Sequence, residues 1–541
     1  MPKIQVSTFL GELPKLASRL LPNENASIAK DCHFSTGNLE PYLKPKAVSE
    51  AVAAAHKTIY KHDQHWLKWH VDTDVVASPL VDDPWSRLYF TSETGLRVTN
   101  NLIMNGDGDL PAASYPLGVP APQNKIIATV NEPEPDPDAE TEVIDDTEDD
   151  ETRYYVYTLV SEMSEEGAQS PISDQINIRD PEATVTLTFS QEGTLPGSIT
   201  KRRIYRSSTD GGVADFYLLA EIPISADTFL DDKGSDDLGL PLETESFETP
   251  NENMRYLTLL PNGILAGGYD KTVCFSEPYL PHAWPVEYQL TTEHKIVSME
   301  ATGNMLLVGT EGNPWIFQGV SSDAISGRKL ESVQACVSKR SMRNIDNLII
   351  YASPNGLCAF TGNDVELLTK DVIDSALWSS LRPETIEAYA YDGKYIAFYG
   401  EQLDKAFIFD PRTRGITFHS FGSDLGYTDL VTGTLFVRSE DGATLAHWNS
   451  GEPESIQWRS KEYYALYPTF STLYVRSPDH SKVGLRVIVD GRVIHDYKPG
   501  TLTAKPTRIP PARGNSWQFE AYGTGTLEEV IIATSMAEVY G

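Results

Sequence analysis

Cysteine is scarce in this chain. Cys32, Cys274, Cys336 and Cys358 stand far apart with no C-x-x-C pair, which argues against a disulfide scaffold and against a zinc-finger type of site. They read as reduced, buried, small apolar residues of a protein made in a cytosol. Positive charge is short too: 44 Lys and Arg face 77 Asp and Glu, for a formal net charge of -33. Such a chain does not grip nucleic acid non-specifically, because that binding needs Lys and Arg to displace counterions. It can still let a duplex slide past, since an acidic wall repels phosphates within a screening length of about 8–10 Å. No eighteen apolar residues run together, so nothing reads as a membrane span. The opening MPKIQVSTFLGELPKLASRLLP lacks the apolar stretch and cleavage site of a signal peptide.

The signatures of catalysis are equally thin. There is no G-x-S-x-G elbow, and GTEGNP (309–314) lacks the lysine and spacing of a phosphate loop. HDQHWLKWH (62–70) gathers His62, His65 and His70 around Trp66 and Trp69. However, Lys68 sits among them with no carboxylate fixed nearby, and the alternation suits a strand. NGDGDL (105–110) sets Asn105, Asp107 and Asp109 at alternate positions like the start of a calcium loop, without the closing glutamate; it reads as a turn. Glycoside hydrolysis needs two carboxylates about 5–10 Å apart, and the sequence names no such pair. SEDGAT (439–444) loosely matches the Asp-box of sialidase propellers, with its glycine one place early and the tryptophan displaced to Trp448. Even a true match there would be a structural turn. The sequence therefore assigns no catalytic residue, no metal ligand and no cofactor.

What the chain has is repetition. LYFTSETGLRVT (88–99), LLVGTEGNPWIF (306–317), IIYASPNGLCAF (349–360) and LFVRSEDGATLA (435–446) share one pattern: apolar run, hydroxyl residue, glycine, apolar run. ILAGGYDKTVCF (264–275) and YIAFYGEQLDKAFIF (395–409) are looser copies. Starts at 264, 306, 349, 395 and 435 are spaced by 42, 43, 46 and 40 residues, the spacing of β-propeller blades built from short strands. Each copy reads as a hairpin whose Ser/Thr-x-x-Gly turn supplies local hydrogen bonds and a tolerated positive φ. Gly95, Gly312, Gly356 and Gly442 are thus expected as structural turn glycines, and no ligand loop is expected there.

The predicted architecture is all-β, a six-bladed propeller with two accessory sandwiches. Residues 1–50 carry few strand signals and read as an extended arm, 51–124 as the first blade or blades, and 246–450 as the remaining blades. Between them, 125–245 reads as an inserted fibronectin III-like sandwich. Its loop at 131–151 holds twelve acids and no base, and so should be solvated. Residues 451–541 read as a C-terminal sandwich, with Asp490-Gly491 turning a hairpin.

Several stretches resemble the tail nozzle (tail tube protein B-like) family of virion proteins of short-tailed phages. NENASIAKDCHFSTGNLEPYLKP resembles that family's opening through Asp31, Gly37, Leu39 and Pro45. FSEPYLPHAWP, LLVGTEGNPWIFQG, QACVSKRSM, YASPNGLCAF and LWSSLRPETIEAYAYDGKYIAFY resemble its propeller core, and RRIYRSSTDGGVADFYLLAEIP its fibronectin-like insert. The similar stretches span about 300 of 541 residues. The resemblance implies a non-enzymatic structural protein in the phage tail, made in the host cytoplasm. Its subunits would form a ring, a homohexamer, at the DNA exit channel. Partners implied are the tail adapter protein, tail fibres or spikes, and the genomic double-stranded DNA, which passes without specific binding. Two other readings stay open: a binding module recognising host glycan or a tail partner, and a propeller polysaccharide depolymerase. A cluster of Arg with Glu or Asp on one face would favour the depolymerase.

Overall fold

The computed structural model describes residues 3–106, 108–133, 151–180, 182–208, 215–464 and 469–540. Most of the acidic loop expected at 131–151 (134–150) lies outside them, as does Asp107. The described chain is all-β, with its longest helix a short one over Ser375–Ser380.

Every copy of the repeated pattern forms the two central strands of a four-stranded antiparallel meander. The first meander runs Val75–Ala77, Leu88–Ser92, Gly95–Thr99, Tyr115–Pro116, and the second Tyr256–Leu259, Leu265–Tyr269, Thr272–Phe275, Gln289–Thr291. The third is Ile296–Thr302, Met305–Thr310, Trp315–Gln318, Ser326–Lys329, and the fourth Arg343–Ile345, Leu348–Ser353, Gly356–Phe360, Val365–Leu367. Glu387–Tyr391, Lys394–Tyr399, Lys405–Phe409 and Ile416–His419 make the fifth. The sixth takes Gly426–Asp429, Thr434–Arg438 and Thr444–His447 from its own stretch, and its last strand, Lys46–Ala51, from the beginning of the chain.

The central strands carry near-continuous apolar runs because both of their faces are covered. In the fourth meander, Ile349, Tyr351, Cys358 and Phe360 pack with Leu307 and Ile316 of the third. The alternate residues Ile350, Ala352, Leu357 and Ala359 pack with Ala388, Tyr395, Ala397 and Phe407 of the fifth. All four cysteines are free and buried. Burial pushes the Cys274 and Cys336 thiols up to about 12 and Cys358 to about 11, so they remain thiols at neutral pH.

The described part of 125–245 builds a two-stranded sheet, Glu151–Arg153 with Ile176–Ile178, and two three-stranded antiparallel ones. Ile127–Asn131, Thr184–Thr188 and Thr228–Asp231 form one, and Tyr155–Ser161, Ile199–Ser208 and Asp215–Pro223 the other. They share a core of Tyr155, Tyr157, Leu159, Val185, Leu187, Phe189, Ile204 and Leu219. Arg206 and Asp231 are both fully buried in it and pair at 3.0 Å, with the Tyr155 hydroxyl donating to the same carboxylate at 2.8 Å.

The N-terminal 50 residues, expected as an arm, are stitched into sheets. Lys3–Val6 pairs antiparallel with Glu529–Ala533, and Ile28–Lys30 lies between Ile416–His419 and Ile456–Arg459. Ile4, Val6, Phe9, Ala26, Ala29, Cys32 and Leu39 enter one core with the strands of 456–533. The reason these strands are not legible is their length, two to six residues; in addition Lys3–Val6, Ile28–Lys30 and Lys46–Ala51 have partners more than 350 positions away. Further on, Val483–Val489 and Arg492–Tyr497 form the expected hairpin, with Asp490 at φ 47° and Gly491 at φ 76° as a primed turn requires.

Contacts divide the chain into two compact units. One comprises 1–72, 292–317 and 327–541, the other 73–291 and 318–326. The stretch expected as one block at 246–450 is therefore shared between the units, and the first two meanders fall in the same unit as 125–245.

Candidate functional site

The turn glycines divide into two kinds. Gly95, Gly356 and Gly442 have φ of 103°, 145° and 74°, where an L side chain is strained. In two of these turns the hydroxyl three residues earlier donates to the glycine carbonyl: Ser92 Oγ to Gly95 at 2.8 Å and Ser353 Oγ to Gly356 at 3.0 Å. Gly312 differs from the expectation. It stands two residues after Thr310, and Thr310 Oγ1 donates instead to the Asn313 carbonyl at 2.7 Å. Gly312 does not have a positive φ; a Cβ there would lie 2.2 Å from the His294 ring. Its requirement is space for a neighbouring ring.

The histidines of 62–70 do not converge. His62 and His65 flank the turn of the hairpin Thr58–His62/His65–Trp69, and His70 follows its far end. There the His70 ring stacks on His56, centroids 4.9 Å apart at 27°. His56 Nδ1 accepts the Ala53 N–H at 3.0 Å. Trp66, half-buried, packs edge-on against Tyr427 and Phe436, with centroids at 5.7 and 4.8 Å, which makes it a packing residue at the margin of a core.

A set of charges gathers where the opening strands of the fourth, fifth and sixth meanders pack side by side. Arg343 comes from the fourth, Glu387 and Tyr389 from the fifth, and Asp424 precedes the sixth; Lys339, Arg340 and Asp72 join from loops. Lys339 pairs with Asp72 at 3.0 Å, and Arg340 pairs with it too. Burial pushes the Asp72 carboxyl up, but Arg340 and Lys339 outweigh this and hold it below the usual range. For Glu387 burial wins: its carboxyl is pushed up to about 7 despite Arg340 and Arg343.

This is an Arg–carboxylate cluster of the sort a depolymerase would use, and spacing alone did not reveal it. Its arginines, however, are turned towards the protein. Arg343 donates Nε to the Ala388 carbonyl at 2.7 Å and Nη1 to the Met342 carbonyl at 2.9 Å, with its guanidinium 5.7 Å from the Tyr389 ring centre. Arg340 donates to Thr58 Oγ1 at 3.1 Å as well as pairing with Asp72. An arginine that receives a substrate carboxylate offers its planar fork outward. Here the fork ties strands together.

Two recesses lie in the same unit. An open groove of about 530 Å³ runs past Thr302, Met305, Asp346, Leu348, Phe360 and Thr361, where hairpin turns of the third and fourth meanders meet. A cavity of about 30 Å³ lies among His33, Tyr42, Lys394, Asp410 and Thr417. That is room for about one ordered water. Lys394 Nζ beside it is held by Ser35 Oγ at 2.9 Å and Asp392 at 2.8 Å.

No family model matches the chain, and no curated protein matches it. Among solved structures it is similar to a computationally designed protein, Ika8: 12% identity over 51% of this chain and 93% of that one, TM-score 0.26. It is also similar to the extracellular domain of a putative one-component system, BT4673, from B. thetaiotaomicron. That match has 13% identity over 54% of this chain and 44% of that one, TM-score 0.26. A third is the AfRom2 CNH domain, with 10% identity over 58% and 91%, TM-score 0.25. Similarity at this level leaves function to be argued from the chain's own residues.

Proposed function

We propose that the protein is a structural component of a short phage tail, a nozzle subunit whose copies form a ring around the DNA exit channel. The observation that carries this reading is the set of six four-stranded meanders, the last completed by a strand from the start of the chain. Joining the first and last parts of a chain in one sheet is how a propeller resists opening, and we read the six meanders as its blades. With 125–245 as a fibronectin-like insert and 451–541 as a C-terminal sandwich, the subunit offers broad faces to neighbours. The sequence resemblance to tail nozzle proteins points the same way.

Charge refines the reading. Residues 125–245 hold 29 Asp and Glu against eight Lys and Arg, a net of -21 out of -33. The remaining 420 residues hold 48 against 36. The acidity is therefore concentrated in the insert, and the meanders are nearer balance. A wall without excess positive charge lets a duplex pass without holding it.

The test is the mass of the purified protein together with its image by electron microscopy. A six-fold ring with a central hole, alone or in virions, supports the proposal; a monomer that forms no ring in virions overturns it. The depolymerase reading is tested by incubating capsular polysaccharide with the native protein and with Glu387→Gln. Reducing ends that appear only with the native protein would establish it.

A further inference from the structure

The N-terminal segment meets the fifth meander along a seam, and one acid in it has no counter-charge. Glu12 lies at the end of Leu10–Glu12, opposite Ile416 on one side and Ala26 on the other. Its half-buried carboxyl accepts the backbone N–H of Ala29, within Ile28–Lys30, the strand that joins Ile416–His419 to Ile456–Arg459. It makes no ion pair among the described residues.

The groups facing it offer no compensation. From the segment following Ile28–Lys30 come Asp31, which accepts the backbone N–H and hydroxyl of Ser420, and the buried Cys32 thiol, whose ionisation Glu12 itself opposes. Lys30 is exposed. From Ile416–His419 comes His419, buried, with Asp31 at 3.9 Å and its pKa lowered by that burial. From Ile456–Arg459 comes Arg459, already paired with Glu520 at 2.6 Å. Asn25 donates to the Gly11 carbonyl, and Lys15 lies 3.9 Å from Asp371.

We propose that this seam is a proton-sensitive clasp. The neutral carboxyl of Glu12 holds residues 10–33 against Ile416–His419, and its ionisation loosens them while the other strands of the fifth meander stay paired. Burial pushes Glu12 up to about 7, against the Ala29 N–H, which favours the carboxylate. An acid whose folded value is raised stabilises the closed form fully below its ordinary value, and that contribution is lost as the pH rises through about 7. A titration in the neutral range would let the surroundings of the protein set how tightly this segment is held.

Hydrogen exchange of the full chain, corrected for the intrinsic rate, tests this across about pH 5.5 to 8.5. Protection of 28–32 should fall about tenfold or more as the pH rises from 5.5 to about 7 and stay level above that, while 395–409 keeps its protection. Glu12→Gln keeps an acceptor for Ala29 and cannot ionise, so its protection should stay level. A fall of equal size in Glu12→Gln, or level protection in the native chain, overturns the proposal. If the variant does not fold, the native profile decides alone: level protection between pH 5.5 and 7, or loss shared equally by 395–409, overturns it.

Discussion

At the scale of single residues, the turns and the buried charges give the sharpest expectations. Gly442→Ala meets nothing within 4 Å, so only its φ of 74° counts, at about 1 kcal/mol. Gly356→Ala combines a φ of 145° with a Cβ 2.2 Å from Thr369 Oγ1, and should cost two to three times as much, read from denaturant midpoints. Gly312→Ala fails only against His294, so its cost should largely disappear in a His294→Ala background. Asp231→Ala strands the buried Arg206 guanidinium and should destabilise by about 3–5 kcal/mol. His282 gives a pH dependence of the opposite sign to Glu12. Burial, with Arg87 nearby, lowers it to about 4, so stability present above its ordinary value is lost as the pH falls from about 6.5 to about 4. The loss is up to about 3 kcal/mol, and His282→Gln should flatten thermal unfolding across that range.

At the scale of elements, the N-terminal segment is the decisive piece. It supplies the edge strand Lys3–Val6, the internal strand Ile28–Lys30 and the closing strand Lys46–Ala51 to three different sheets. Deleting residues 1–51 leaves four unpaired edges, two of them where Ile28–Lys30 is lost, and removes Phe9, Ala29 and Leu39 from the core. The truncated chain should lose cooperative unfolding and elute as aggregate on size exclusion. Deleting only residues 1–7 uncovers Glu529–Ala533 alone and should leave the far-ultraviolet spectrum nearly intact, with a lowered midpoint.

At the scale of the whole molecule, charge and shape matter more than any single side chain. With two thirds of the net charge in 125–245, duplex DNA should not be retained by the protein in a filter assay at about 0.15 M salt. Retention at that salt would contradict a passive conduit. The Arg–carboxylate cluster beside Glu387 belongs to the scaffold at this scale. Its donors are spent on backbone carbonyls and on Asp72, so substitutions there should lower stability before they alter any contact with a partner.

The sequence by itself determined what depends on local pattern. Apolar runs broken by a hydroxyl and a glycine identified four of the central hairpins and looser copies the other two, and Asp490-Gly491 identified a seventh, because turn chemistry and strand period act between near neighbours. Only the tertiary structure decided the rest. Strands of two to four residues in 1–50 have no pattern to read, and Lys3–Val6 and Ile28–Lys30 exist because sheet strands 380 to 530 residues later take them as partners. Gly312 looked like its neighbours in sequence, yet its reason is a histidine ring that folding brings alongside. The pairing of Asp72 with Lys339, and the isolation of Glu12 from any cation, are likewise set by which distant residues meet when the sheets close.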